Sequence, residues 1–338
     1  MMNKRLKQGS TFLLAVALTF PLLTLPGAKA ASAINTGQKC SIEFDISGNS
    51  SELLSASIPV NLYKVASVDE SGNYTGIGAF SKLDLSSVSA DNLDTAAATW
   101  AERAAEAKKL LKDNTESPTT VTLTQGRGTA TGLDTGLYLV DTPKVITPNY
   151  TYTFTPYLVS LPTNNYYNGK DASDNWIYDL TKEMNSAVGL KPEEHVRYGD
   201  LVISKKLENH NATFGDKATF VFQIDITTLD EKKETRIEEL TFSAAGSDSV
   251  TIKKIPAGSK VVVTEIYSGA SYKLTSENNV KATIVANDEK EAGQAGETAV
   301  VSFTNEHDGR TNGGYGVRNN FKLNEYGQYD YTKPAEKN

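Results

Sequence analysis

The stretch Val261-Val-Val-Thr-Glu265 has the β-branched composition and the alternation of a β-strand. Side chains of a strand alternate between its two faces, so Val261, Val263 and Glu265 point to the same side. The two valines predict that this side faces the protein core. The carboxylate of Glu265 is therefore predicted to be buried, and a buried carboxylate without a partner is energetically costly.

Two other strand-like segments also place a polar side chain on an apolar face. In Leu201-Val-Ile-Ser-Lys205 the terminal amine shares a face with two aliphatic side chains. In Val301-Ser-Phe-Thr-Asn305 the terminal carboxamide shares a face with a valine and a phenylalanine. An amine, a carboxylic acid and a carboxamide are thus predicted to point inward from three strands of one domain. An amine beside a carboxamide is a reactive pair.

These segments resemble the B-type immunoglobulin-like domains of Gram-positive pilins and collagen-binding adhesins. The family's assisting glutamate lies in a segment of the form L-P-x-G-x-x-x-x-V-x-E. Here Ile255-Pro-Ala-Gly258 leads to Val263-Thr-Glu265 with the same spacing, and Phe303-Thr-Asn305 has the family's last-strand ending. The resemblance implies an intramolecular isopeptide bond between Lys205 and the final asparagine, formed with the assistance of the glutamate.

The same chemistry can be argued from the three side chains. Burial disfavours charge, so a proton can pass from Lys205 to Glu265 and leave a neutral pair. The neutral amine is a nucleophile, and the carboxamide carbon of Asn305 is its electrophile. Protonated Glu265 is expected to hydrogen-bond the carboxamide oxygen and to pass a proton to the leaving ammonia. Each chain would react once, on itself, so the protein is not expected to be an enzyme.

The alternative is an ion pair on the solvent face. An exposed Lys–Glu salt bridge with an unrelated asparagine nearby would show the same parity, because the solvent face of a strand alternates too. The apolar residues on the triad's side favour burial. The same parity selects Lys205 over Lys206, which lies on the side of Val202.

Residues 1–30 have the pattern of a secretory signal peptide. A basic start precedes a short apolar run from Phe12 to Leu25, and the segment ends on Ala28-Lys-Ala30. The alternative is an anchoring helix, but the run is short for a span of about 20 residues. We therefore expect a secreted, extracellular, cell-surface associated protein that meets the membrane only through the uncleaved signal peptide.

Charge and cysteine content limit the partners. The formal net charge is −7, and loss of the signal peptide would remove four cations and no acid. Such an acidic chain is not expected to bind nucleic acid or an anionic membrane. Cys40 is the only cysteine, so no internal disulfide is possible. An isopeptide bond would supply a covalent brace instead.

The chain of 338 residues is long enough for two domains. Residues 31–190 are predicted to form an N-terminal pilin-like β domain and residues 200–306 the isopeptide-forming domain, with a linker over 191–199 and a flexible tail over 307–338. The predicted fold class is all-β, with two tandem immunoglobulin-like β-sandwich domains. The tyrosines of the tail allow an alternative in which the tail adds a strand or docks on a partner.

The first domain combines short strands with one helix. Candidate strands are Ser41–Ile46, Ile58–Ala66, Thr119–Leu123, Gly136–Val140 and Tyr152–Leu161. The Ala-rich segment 94–112 carries Trp100, Ala104, Ala107 and Leu111 at helical spacing, which predicts a helix inserted among the strands, with Trp100 in the core.

This domain resembles the N-terminal domain of the same pilins. The matching phrases are Val60–Val65, Gly136–Val140, Tyr157–Pro162 and Trp176–Asp179. In the family the last phrase runs on into a motif ending Tyr-Pro-Lys, whose lysine accepts the next subunit. Here Asn185 stands at that position, and Lys182, the nearest amine, is the candidate intersubunit lysine. The resemblance implies other pilin subunits, sortase or host surface ligands as partners.

No isopeptide bond is predicted in the first domain. The strand Ser41–Ile46 has no lysine, and Asp141 stands where an assisting glutamate would be sought. Lys64 could be a substitute, but a solvated strand lysine is the favoured interpretation.

The alternative function is a secreted ligand-binding module, such as a carbohydrate-binding one, with a platform of Tyr166, Tyr167 and Trp176. A secreted enzyme is a third class, but no phosphate loop, nucleophile elbow or paired-carboxylate signature is present. The three histidines, His195, His210 and His307, lie in polar context without metal-ligand spacing. Neither a metal nor a cofactor is expected.

Overall fold

A computed structural model describes residues 33–86, 93–112, 116–163, 176–181, 187–214, 217–288, 297–310, 320–323 and 329–332. The predicted signal peptide and Lys182 lie outside these ranges. The chain divides into two compact units, with the boundary between His195 and Val196. The prediction of an all-β chain with a helix inserted among the strands of the first unit is confirmed.

The first unit consists of short strands in three sheets. In chain order the strands are β1 Cys40–Asp45, β2 Ile58–Val68, β3 Tyr74–Gly76, β4 Thr119–Leu123, β5 Arg127–Leu133, β6 Gly136–Asp141, β7 Val145–Ile146, β8 Tyr150–Phe154, β9 Tyr157–Leu161, β10 Asp179–Leu180 and β11 Pro192–Val196, and the helices are α1 Ser51–Ser55 and α2 Leu93–Lys112. The sheets have the orders β3-β2-β6-β9, with β4 also paired to β2, then β10-β1-β5 and β11-β8-β7.

The sheet that contains β6 and β9 is buried on both faces. Tyr138 and Val140 of β6 face the core shared with β1 and β5, whereas Leu137 and Leu139 face a second core that includes Trp100 of α2. This two-sided burial explains why β6 and β9 are apolar along their length instead of alternating.

Two predictions for this unit need correction. The predicted strand Tyr152–Leu161 is divided into β8 and β9. Pro156 lies between them, and proline has no N–H to donate to a sheet ladder. The predicted linker over 191–199 contains β11, which pairs with β8, and the first residues of the next strand. Its polar composition concealed a strand that is exposed along most of its length.

The second unit is a sandwich of two four-stranded sheets. Its strands are β12 Tyr198–Leu207, β13 Ala218–Thr227, β14 Lys233–Phe242, β15 Gly246–Pro256, β16 Lys260–Tyr267, β17 Tyr272–Leu274, β18 Val280–Thr283 and β19 Ala299–His307, followed by a hairpin of β20 Asn320–Leu323 and β21 Tyr329–Thr332. The sheet orders are β15-β12-β19-β17 and β14-β13-β16-β18. One apolar core, drawn from strands of both sheets, lies between them.

The first and last strands of this sandwich are neighbours. β12 and β19 run parallel, with Lys205 opposite Phe303 and Leu207 opposite Asn305. Lys205 and Asn305 therefore belong to adjacent strands, two residues apart in register. β16, which carries Glu265, belongs to the facing sheet.

Candidate functional site: a buried Lys–Glu–Asn triad

The three residues singled out by strand parity meet in the core of the second unit. The amine of Lys205 donates hydrogen bonds to Oε2 of Glu265 and to Oδ1 of Asn305. The carboxamide Nδ2 of Asn305 donates to Oε1 of Glu265, with the two atoms 2.6 Å apart. Each side chain thus contacts the other two in a closed ring.

Water has almost no access to this ring. Lys205 and Asn305 are fully buried, and Glu265 is 5% exposed as a residue, with a fully buried side chain. The Lys205 amine lies 4.3 Å from the ring centroid of Phe220 and 5.7 Å from that of Phe222. The alternative of an ion pair on the solvent face is therefore excluded.

Burial changes the acid–base behaviour of the amine. Desolvation lowers the pKa of Lys205 from its ordinary value of 10.5, and this effect exceeds the opposing effect of the hydrogen bond and charge of Glu265. A lowered pKa increases the fraction of neutral amine, which is the nucleophilic form.

The strand β16 presents Glu265 at a β-bulge. Val221 of β13 pairs with Tyr267 and Phe222 pairs with Glu265, so Ile266 is the extra residue. Bulges redirect neighbouring side chains and are frequent next to functional sites. On its outer side, the backbone of Glu265 is hydrogen-bonded by the side chain of Asn278. Sequence reasoning missed this residue because nothing in its own pattern marks it.

One detail of the expected mechanism differs. The sequence led us to expect a hydrogen bond from Glu265 to the carboxamide oxygen of Asn305. In the structure, Glu265 instead accepts from the carboxamide nitrogen, and the oxygen accepts from Lys205. The carboxyl group therefore lies between the amine and the nitrogen that would leave as ammonia.

The remaining candidates are not drawn into this site. Lys206 is exposed and forms an ion pair with Glu208 at 2.8 Å. Lys64 is half-buried on β2. Tyr166 and Tyr167 lie outside the described residues, so the aromatic platform cannot be located around Trp176.

In the first unit, the position of the assisting acid is occupied by a different pair. Asp141 is buried and accepts a hydrogen bond from Lys108 of α2. Cys40, at the start of β1, is also buried, and desolvation raises the pKa of its thiol to about 12. A thiol with so high a pKa is a poor nucleophile.

Two further properties of the described residues bear on function. No group of three or more His, Cys, Asp or Glu side chains within the described ranges could hold a metal ion. Neither helix in that part of the chain has the length and hydrophobicity of a membrane span.

Comparison with known proteins gives one family match and several similar structures. Residues 201–308 match a family described as "Domain of unknown function (DUF5979)", and no curated protein matches the chain. Similar solved structures include the major pilin T3.2 of Streptococcus pyogenes (9% identity, covering 83% of this chain and 99% of that one, TM-score 0.28), the major pilin SpaD of Corynebacterium diphtheriae (15%, 83% and 100%, 0.27) and the minor pilin GBS52 of Streptococcus agalactiae (14%, 78% and 87%, 0.22). All three are pilins. Because these identities and TM-scores are low, the function of this chain is argued from its own side chains.

Proposed function

We propose that this chain is a structural surface protein, a pilin-like or adhesin-like subunit, whose second unit is braced by an autocatalytic isopeptide bond between Lys205 and Asn305. The observation that carries the proposal is the closed, buried contact of an amine, a carboxyl group and a carboxamide. A buried ion pair contributes little to stability when its desolvation cost is counted. A covalent bond between Lys205 and Asn305 would stabilise the unit, which an ion pair of the same residues would do only weakly.

The reaction can be written with atoms and charges balanced. Glu265 takes a proton from the Lys205 ammonium through Oε2, and the neutral amine attacks Cγ of Asn305. After a small rotation that brings its protonated oxygen to Nδ2, the Glu265 carboxyl group delivers that proton to Nδ2 and takes one from Nζ as the Cγ–Nδ2 bond breaks. The products are a secondary amide, one ammonia and a neutral Glu265 carboxylic acid. A neutral acid suits a site without water.

Folding supplies most of the rate enhancement. Holding two reacting groups in the right geometry can be worth about 7–11 kcal/mol of barrier. Lys205 is 60 residues from Glu265 and 100 residues from Asn305 in the sequence, so the three groups meet only when the sandwich has formed. The reaction occurs once per chain and on the chain itself, so the protein is not an enzyme in this proposal.

The position of the bond favours a mechanical role. It joins the first strand of the sandwich to the last, and these strands lie side by side in parallel. Tension between the two ends of the unit would pass through the bond and would not shear the sheets apart. Resistance to tension suits a secreted subunit of a fibre or adhesin. The partners of such a subunit would be other subunits, sortase or host ligands.

Intact mass spectrometry tests the bond. We expect the purified chain to be lighter than its sequence by one ammonia, and digestion to release a branched peptide that links Lys205 to Asn305. The Glu265→Ala chain is expected to have its full sequence mass, because no group remains to move the proton. The matched control is Lys206→Ala, which changes the exposed neighbouring amine and should keep the deficit. Full mass in the unaltered chain would refute the proposed crosslink.

A further inference from the structure

The backbone of Glu265 has an unusual partner. The strand β18 pairs with β16 only from Lys260 to Val263, so no strand backbone lies beside Glu265 on that edge. The side chain of Asn278 occupies the place that a further residue of β18 would fill. Its Oδ1 accepts from the Glu265 N–H at 2.8 Å, and its Nδ2 donates to the Glu265 C=O at 3.2 Å.

In these two hydrogen bonds, the side chain of Asn278 takes the place of the backbone of a neighbouring strand. Two residues of an antiparallel ladder exchange both N–H···O=C bonds, and a carboxamide has the same donor and acceptor as a peptide group. Asn278 is itself fixed, because its Oδ1 also accepts from the N–H of Asn279 at 2.9 Å. Asn279 has a φ of 56°, a left-handed conformation that asparagine tolerates well.

We infer that Asn278 is a positioning residue for isopeptide formation: by holding both backbone polar groups of Glu265, it fixes the carboxyl group between the amine of Lys205 and the nitrogen of Asn305. The inference rests on the proposed crosslink. On the other edge of β16, Glu265 still pairs with Phe222 of β13, but the ladder is interrupted at the next residue, Ile266, so the outer contact adds a second hold on this end of the strand. A misplacement of about 1 Å can slow a reaction roughly 100-fold.

The test measures the rate of crosslinking in full-length chains that have never folded. Chains recovered from inclusion bodies are kept in denaturant, folding is started by dilution, and samples are quenched for intact mass. We expect Asn278→Ala to lose ammonia about 10-fold to 100-fold more slowly than the unaltered chain. The matched control is Thr264→Val, which removes the 2.8 Å hydrogen bond from Thr264 to Asn279 in the same turn and should react at the normal rate.

The variant Asn278→Asp distinguishes two roles of Asn278, positioning of Glu265 and support of the turn at residues 278 and 279. An aspartate keeps the acceptor for the two N–H groups but loses the donor to the Glu265 C=O. A role limited to the turn predicts the normal rate, whereas positioning predicts a rate between those of the unaltered chain and Asn278→Ala. If Asn278→Ala does not fold by circular dichroism, Asn278→Asp decides alone.

The possible failures are distinguishable. If the unaltered chain never loses ammonia, the proposed function itself is wrong. If the unaltered chain loses ammonia and both Asn278 variants react at the same rate as that chain, only the positioning role is overturned. Equal slowing in Thr264→Val would also overturn that role, because the effect would then belong to the turn as a whole.

Discussion

The proposed crosslinking chemistry depends on the surroundings of one amine. Lys205 is fully shielded from solvent, and the ring centroids of Phe220 and Phe222 lie within 6 Å of its nitrogen. Aromatic faces attract a cation, but they do not replace its full hydration, and the net effect of the site is to lower the pKa of Lys205. The site therefore favours the form of lysine that can attack a carbonyl carbon.

The pH dependence of crosslinking follows from this shift. The rate should be constant while Lys205 and Glu265 share one proton, and it should fall as the pH rises through the lowered pKa of Lys205, below 10.5, because the pair then lacks the proton that is delivered to Nδ2. The measurement is the loss of ammonia during refolding at a series of pH values, with folding followed separately by circular dichroism. A rate that stays constant or climbs through pH 10.5 would contradict a proton relay through Glu265.

For single residues, the sequence predicts which side chains of a strand face the core. Alternation, together with the apolar residues on the same faces, predicts that Lys205, Glu265 and Asn305 lie on the core side, and all three are buried. Alternation could not predict which atom of the carboxamide faces Glu265, because that depends on a rotation within one side chain. It also could not identify Asn278, whose role arises from a strand ending early beside it.

Among the elements, the helix α2 has the clearest structural role. It covers the outer face of the sheet that contains β6 and β9, and Trp100 is its largest buried side chain. The indole ring meets Tyr74 edge to face, with the ring centroids 6.5 Å apart. Without this helix, Leu137 and Leu139 would be exposed to water.

The contribution of α2 can be measured with one substitution. We expect Trp100→Ala to destabilise the first unit by about 3–5 kcal/mol, because it leaves a cavity under the helix. Lys109→Ala, on the exposed side of the same helix, is the control and should change stability little. Chemical denaturation followed by fluorescence and circular dichroism would provide both values. A loss below 1 kcal/mol for Trp100→Ala would mean that the helix is not docked.

The predictability of the elements follows their packing. The apolar spacing of residues 94–112 is regular, and it therefore predicts a helix with nearly the right bounds. The helix α2 begins only one residue earlier, at Leu93. The polar pattern of β11 indicates a linker because the strand lies at a sheet edge and most of its side chains are exposed. The strand β5 was not predicted at all, since Arg127-Gly-Thr-Ala-Thr-Gly-Leu133 has few of the residues that mark a buried strand.

For the whole molecule, the proposed bond would close a loop between residues 100 apart. By analogy with a disulfide across a loop of about 100 residues, closure is worth roughly 4.7 kcal/mol through the entropy of the unfolded chain. Most of this stabilisation should be lost in Lys205→Met/Glu265→Gln, which cannot form the bond. The double change is needed because removing one partner alone leaves a buried charge, which itself costs about 3–5 kcal/mol.

Equilibrium denaturation of the second unit measures this difference. Lys206→Met is the control, since it also exchanges a lysine for methionine on β12 but at an exposed position. Its stability should match that of the unaltered chain. If the double variant is equally stable as well, either the bond does not form or it adds nothing to the unit.

The parallel pairing of β12 with β19 also has a topological consequence. Once a covalent link joins these strands, the polypeptide is no longer a line but a ring with an arm at each end. Only a linear chain can be threaded, one residue after another, through a narrow translocation channel. The ring can close only after the strands have assembled, so a chain in transit stays linear. In a chain that is exported and crosslinked as proposed, export therefore precedes closure, and the closed chain cannot return through the same channel.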